Sequence, residues 1–221
     1  MNIYLIRHGR QNSRLCNVDV ELSKEGREQA DLLGKRLEKY DIDAVYSSQL
    51  IRAKETADII NSHLNKPRFI DERWQEADFG GMTGLSNEEM KEKYGDYLEN
   101  RAKMIEDMPY PDGGENCRMV FERSFDALKD LIKEPYKNVC VVTHGGVLRA
   151  LITGIIGADY KNWLTIGRQI ENCSISHILY DEKMGTFHIE RLNDFAHFED
   201  KDYLLRKHFG SGFFNMKDIK K

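Results

Sequence analysis

The run Asn138-Val-Cys-Val-Val-Thr143 is apolar at four consecutive positions. A strand tolerates that pattern when both of its faces are covered, as in a parallel sheet with helices on each side. It ends in His144-Gly145-Gly146, after which Val147 to about Ile156 reads as a central helix, apolar almost all round apart from Arg149. The start of the chain repeats the layout. Asn2 to Ile6 is a short β-forming run, and Tyr4-Leu5-Ile6-Arg7-His8-Gly9 closes it with a second His-Gly. In a parallel sheet both ends reach the same carboxyl edge, where open α/β sheets bind ligands. Two structural histidines would give the same pattern, but the repetition equally describes one shared site.

The remaining segments extend a βα alternation. Ser23 caps a helix with Ala30, Leu33, Leu37 and Tyr40 at helical spacing. Asp43 to Ser48 is a strand, and Leu50 to about Asn61 a helix with Ala53, Ala57 and Ile60 on one face. Pro67 to Asp71 reads as a third short strand. Ser86-Asn87-Glu88-Glu89 is a capping box opening a helix through Met90, Tyr94 and Tyr97. Glu115 to Ile132 carries apolar residues at 121, 125, 128 and 132, a core-facing helix. Residues 173 to 180 and 185 to 192 form a hairpin that adds antiparallel pairing, with His177 and His188 as sheet-surface residues. The fold class is therefore α/β: three layers, α/β/α, around a mainly parallel sheet with an antiparallel edge strand. With no linker in 221 residues, the chain reads as one domain with a C-terminal extension from about residue 193. Its aromatics, Phe195, Phe198, Tyr203, Phe209, Phe213 and Phe214, fit a packing helix, a lid or a homodimer contact.

Charge narrows the partners. The 33 Lys and Arg against 37 Asp and Glu leave a net charge of -4, so no global basic field invites nucleic acid. No apolar run approaches membrane-spanning length, and a strand beginning at residue 2 leaves no room for a leader, so the expected location is cytoplasmic. Cys16, Cys117, Cys140 and Cys173 are widely separated and read as reduced packing thiols.

Local chemistry points to phosphate. An imidazole can attack phosphorus, and the adjacent Arg7 guanidinium, permanently charged with five forked donors, can hold phosphoryl oxygens meanwhile. Arg52 falls in the first turn of its helix, where its side chain and the free N–H groups suit an anion, although an ordinary surface arginine would look the same. The stretch Glu72 to Gly84 is acidic and glycine-rich between Trp74 and Phe79, so a carboxyl within it is a candidate general acid.

Five ordered blocks carry a resemblance. They are Leu5-Ile-Arg-His-Gly9, Ser48-x-Leu50-x-Arg52-Ala-x-Glu55-Thr56-Ala57, Glu76-x-x-Phe79-Gly80-x-Met82-x-Gly84, Gly113-Gly114-Glu115 and Val142-Thr-His144-Gly-Gly. Together they resemble the histidine phosphatase, or phosphoglycerate-mutase-like, superfamily, from residue 3 to about 180, and Asn172-x-Ser174 is similar too. The resemblance implies that His8 is the nucleophile, that Arg7, Arg52 and His144 bind the phosphoryl oxygens, and that Glu76 is the proton donor. Such cationic side chains stabilise the charge of phosphoryl transfer directly, so no metal or other cofactor is expected. The chain departs from the family after Gly9, reading Arg10-Gln11-Asn12-Ser13-Arg14-Leu15-Cys16-Asn17. Arg14 stands at the spacing of the family's Asn, with Asn12 and Asn17 as near misses, and Arg10 and Arg14 suggest a substrate with a second anionic group. Sixty-eight positions separate Glu76 from His144, the shorter, phosphatase-type spacing. The expected activity is hydrolysis of a small-molecule phosphate ester, with mutase-type phosphotransfer as the alternative and a non-catalytic phospho-ligand-binding module as the third.

Overall fold

The two apolar runs that end in His-Gly lie side by side. A computed structural model describes residues 1–206. In it β1 (Asn2–Arg7) pairs in parallel with β4 (Asn138–Thr143), from Asn2 opposite Asn138 to Arg7 opposite Thr143. That register puts His8 and His144 at equivalent positions just past the strand ends. On the far side of β4, β2 (Ala44–Ser47) and β3 (Arg68–Ile70) continue the parallel set. On the other side β5 (Ile175–Asp181) and β6 (Thr186–Asp194) add antiparallel pairs, giving the order β3-β2-β4-β1-β5-β6.

The strands alternate between two apolar layers. Ile3, Leu5, Val139 and Val141 pack with α4 (Cys117–Leu131) and α5 (Gly145–Ile155). Tyr4, Ile6, Cys140 and Val142 pack with α1 (Lys24–Leu37) and α2 (Ile51–Leu64). Because the strand period is two, a run apolar at every position is the one that feeds both layers. This is the three-layer α/β/α arrangement with helices on both faces.

Several local expectations are corrected. The predicted hairpin closes the sheet, but β5 begins at Ile175 and not at residue 173, because Cys173 adopts the left-handed region (φ 55°) while its N–H donates to the Arg7 carbonyl at 2.8 Å. The Ser23 side chain caps α1 as predicted, but the helix stops at Leu37 and Tyr40 lies in a following 3-10 turn. The Ser86–Glu89 capping box is present, and its helix α3 (Asn87–Ala102) runs further than predicted, with a kink at Tyr94. On α4 the buried stripe is Cys117, Val120, Ser124, Ala127, Leu128 and Leu131. Phe121, Phe125 and Ile132 are half-buried beside it, since Ser124 satisfies its hydroxyl on the Val120 carbonyl and so passes as a core residue. Phe198 is buried against the α1/α2 layer and Tyr203 is exposed, whereas Phe209, Phe213 and Phe214 lie outside the described residues.

Candidate active site

His8 follows β1 directly and is 4% exposed. Its N–H donates to the Thr143 carbonyl (2.8 Å), extending the parallel ladder by one rung, and its carbonyl accepts from Asn172 Nδ2 (2.7 Å). Gly9 N–H donates to Thr56 Oγ1 at 2.9 Å, and a Cβ on Gly9 would lie 2.6 Å from the Gly26 carbonyl oxygen. Glycine is therefore needed there for the close approach of α1. His8 Nδ1 lies 2.7 Å from the Gly9 carbonyl oxygen. A carbonyl only accepts, so Nδ1 carries the proton and Nε2 keeps a lone pair. Burial, then the Arg52 and Arg7 charges, push the imidazole pKa well below the ordinary histidine value, so His8 is neutral.

Arg52, 1% exposed in the first turn of α2, points Nε at that lone pair, 3.4 Å away. Its other nitrogens are aimed by acceptors from the loop after β1: Nη1 donates to the Val18 carbonyl (3.0 Å) and Nη2 to Asn17 Oδ1 (2.8 Å). The amides at the start of α2 are not all free, since Leu50 N–H donates to Ser48 Oγ and Ile51 N–H to Asp19 Oδ1. What α2 presents is mainly the arginine.

His144 is fully buried, its ring centroid 5.0 Å from that of His8. Nε2 is paired with Ser48 Oγ at 2.9 Å, and Nδ1 has no partner among the described residues. Burial and then Arg52, His8 and Arg7 push its pKa well down. Arg7 sends Nη1 to the Ile170 carbonyl (2.5 Å) and keeps a buried Nε without an acceptor among the described residues.

Glu76 comes to this edge from the loop after β3. Its Oε1 accepts from Ala77 N–H (2.9 Å) and from Gly146 N–H (3.0 Å) in the first turn of α5. Among the described residues both hydrogen bonds go to Oε1 and none to Oε2. Arg123 of α4 holds this loop in place, donating to the carbonyls of Arg73 (2.8 Å), Gln75 (2.9 Å) and Glu76 (3.0 Å) while it pairs with Glu115 (2.8 Å). The result is a neutral imidazole with a free lone pair, an arginine and a second histidine beside it, and one oriented carboxyl.

The family described as "Histidine phosphatase superfamily (branch 1)" matches residues 3–194. The chain belongs to the histidine phosphatase superfamily. "Phosphoglycerate mutase-like protein 4" of Arabidopsis thaliana is 33% identical, over 91% of this chain and 89% of that one. "Metal-independent phosphoserine phosphatase" of the same plant is 32% identical, over 92% and 86%. Among solved structures, YhfR of Bacillus stearothermophilus superposes with a TM-score of 0.78 at 28% identity, covering 90% of this chain and 99% of that one.

In this superfamily member, Arg7, His8, Arg52, Glu76 and His144 meet at one edge of the sheet, as does Asn17. The loop residues left open by the sequence separate here. Asn17 orients Arg52 and ties it to the Ala77 carbonyl through Nδ2 (3.2 Å), whereas Asn12 donates to Glu21 on the surface and Arg14 is exposed. Arg10 is a correction: Nη1 and Nη2 donate to the carbonyls of Tyr203, Leu204 and Leu205, so this cation fastens the C-terminal segment. Ser48, Thr56 and Asn172 stand in the family-like blocks but were given no role, and Arg123 was missed altogether, since each works through a backbone group or another side chain. Arg149 did leave a local signature, as the lone charge on an otherwise apolar helix. No helix among the described residues is long and apolar enough to cross a membrane.

Proposed function

We propose that this protein is a phosphomonoester hydrolase that acts on a small phosphorylated metabolite through a phosphohistidine at His8. The observation that carries the reading is the Nδ1 hydrogen bond to the Gly9 carbonyl, which leaves the lone pair on Nε2, beside Arg52 and His144. In the first step Nε2 bonds to phosphorus as the ester P–O bond breaks, and Glu76 gives its proton to the departing alkoxide. Arg7, Arg52 and His144 meet the charge spread over the equatorial oxygens, the part a metal plays in other phosphoryl transferases. In the second step Glu76 takes a proton from water, the water oxygen bonds to phosphorus, and the P–N bond breaks to free phosphate and His8.

The test is a panel of phosphate esters that includes phosphoserine, sugar phosphates and 3-phosphoglycerate, with free phosphate and isomer formation followed in parallel. Phosphate release, and an acid-labile, base-stable phosphoprotein lost in His8→Ala, are the expected results. Isomer formation without phosphate release would replace hydrolysis by the mutase reading, and wild-type turnover in His8→Ala would place the nucleophile elsewhere.

A further inference from the structure

Ser48 stands just past the end of β2, as His8 and His144 stand past β1 and β4, on three neighbouring parallel strands. Its N–H donates to the Val142 carbonyl (3.0 Å), which extends the β2/β4 ladder by one rung just as His8 extends the β1/β4 ladder. The residue is fully buried. Its Oγ accepts from Leu50 N–H (3.1 Å), where the chain turns into α2, and lies 2.9 Å from His144 Nε2. The other nitrogen of that ring, Nδ1, is buried without a partner among the described residues.

These contacts decide where the His144 proton sits. Burial, then Arg52, His8 and Arg7, hold the imidazole neutral, so it carries one N–H and one lone pair. The Leu50 amide can only donate, so it takes an Oγ lone pair and leaves the Ser48 hydroxyl hydrogen to be placed. If Nε2 donated to Oγ, that hydroxyl hydrogen would be buried with no acceptor among the described residues, and Nδ1 would be a buried bare lone pair. If the hydroxyl donates to Nε2, Ser48 is satisfied and a single group, His144 Nδ1–H, is left over. Leaving one buried polar group unpaired costs less than leaving two, so the second arrangement holds. His8 carries its proton on the same nitrogen with the opposite outcome. There the N–H is engaged by the Gly9 carbonyl and the lone pair is open, whereas in His144 the lone pair is engaged by Ser48 and the N–H is open. Two rings with centroids 5.0 Å apart, in one tautomer, thus give one nucleophile and one donor.

Resting on the hydrolase reading, we propose that Ser48 is a positioning residue whose hydroxyl fixes His144 as the Nδ1–H tautomer, so that His144 meets a phosphoryl oxygen as a neutral donor and offers phosphorus no second lone pair. The donor is set before substrate arrives, and nothing has to reorganise as charge builds on the oxygens. The Leu50 amide turns the hydroxyl toward His144 by occupying its other side. The turn that opens α2 therefore sets both the His144 proton and, two residues on, Arg52.

The first measurement is made on full-length wild-type protein labelled at its histidine nitrogens, by long-range proton–nitrogen correlation spectra near neutral pH, where the signals lost in His144→Gln assign the ring. Nδ1 of His144 should show the shift of a protonated ring nitrogen and Nε2 that of a lone-pair nitrogen. The reverse would overturn the proposal, and this reading needs no Ser48 variant to fold. In Ser48→Ala the proton should pass in part to Nε2, and binding of inorganic phosphate, followed by calorimetry, should weaken by about tenfold, the size of one hydrogen bond to a charged group. On top of His144→Gln the same substitution should cost less than about threefold, because its effect passes through a ring already removed. An unchanged tautomer in Ser48→Ala, an unchanged phosphate affinity, or an undiminished further loss in the double variant would each overturn the role. Neither readout uses turnover. If wild-type protein releases no phosphate from any ester while the tautomer and the Ser48→Ala loss are as expected, the hydrolase reading fails and the role of Ser48 stands.

Discussion

Replacing Gly146 by Ala should disable Glu76 without unfolding the protein. A Cβ at position 146 would collide with Glu76 Oε1 and press on Glu76 Cδ at 3.3 Å, whereas the first contact outside Glu76, the Ala77 methyl at 3.5 Å, is ordinary. The carboxylate end must therefore retreat by about 1 Å to reach normal contact, giving up the 3.0 Å hydrogen bond from the Gly146 amide. That retreat is easy for a flexible side chain, and Gly→Ala within a helix gains up to about 1 kcal/mol, so the melting temperature should move by only a few degrees. Turnover is less forgiving, since a misplacement of about 1 Å can cost about 10²-fold. The assay is kcat/KM on an alkyl phosphate, whose leaving group needs a proton, in wild type, Gly146→Ala, Glu76→Gln and the double variant. Gly146→Ala should lose about 10²-fold alone and almost nothing on top of Glu76→Gln, because the damage passes through a group already removed. Full activity in Gly146→Ala, or an undiminished further loss in the double variant, would refute the idea that this amide aims a working Glu76.

Glu76→Gln should separate the two chemical steps: an aryl phosphate with an acidic phenol should give one rapid equivalent of phenol and then a steady rate about 10² to 10⁴ lower than wild type, and wild-type steady turnover would exclude Glu76 as the base. The histidine pKa directions set a pH dependence of stability. His8 and His144 are held well below their ordinary value, and burial with Arg36 holds His197 down to about 4, so below about pH 6.5 the unfolded chain binds more protons than the folded one. Stability should thus fall as pH drops from 7 to 5, by up to about 1.4 kcal/mol per pH unit for each group; a urea midpoint that held or rose over that interval would contradict it. Arg123→Gln would strand Glu115 and free the Glu76 loop, costing about 3 kcal/mol by denaturant titration together with a fall in kcat, and a stable variant with normal kcat would show the loop needs no such brace.

The sequence by itself determined the layers and the reacting groups. A strand apolar at every position has to be covered twice, and two such strands ending in His-Gly bring both histidines to one edge once they lie in a parallel sheet, as they do here with Asn2 paired to Asn138 through Arg7 paired to Thr143. The acidic loop of residues 72 to 84 was legible as a source of a general acid, but the choice of Glu76 within it came only from family resemblance. Glu76 reaches the site because Arg123 and the Gly146 amide hold it there, contacts 47 and 70 positions apart in the chain. Only the tertiary structure decided among the loop cations. Arg10 and Arg14 look alike in sequence, yet three backbone carbonyls near Leu204 claim the first and the second stays on the surface. Arg206, in the C-terminal segment, is carried to Asn172, whose side chain donates to the His8 carbonyl. Charge and residue type are written in the chain, but which acceptor satisfies a long, flexible guanidinium depends on which carbonyls folding leaves unpaired nearby.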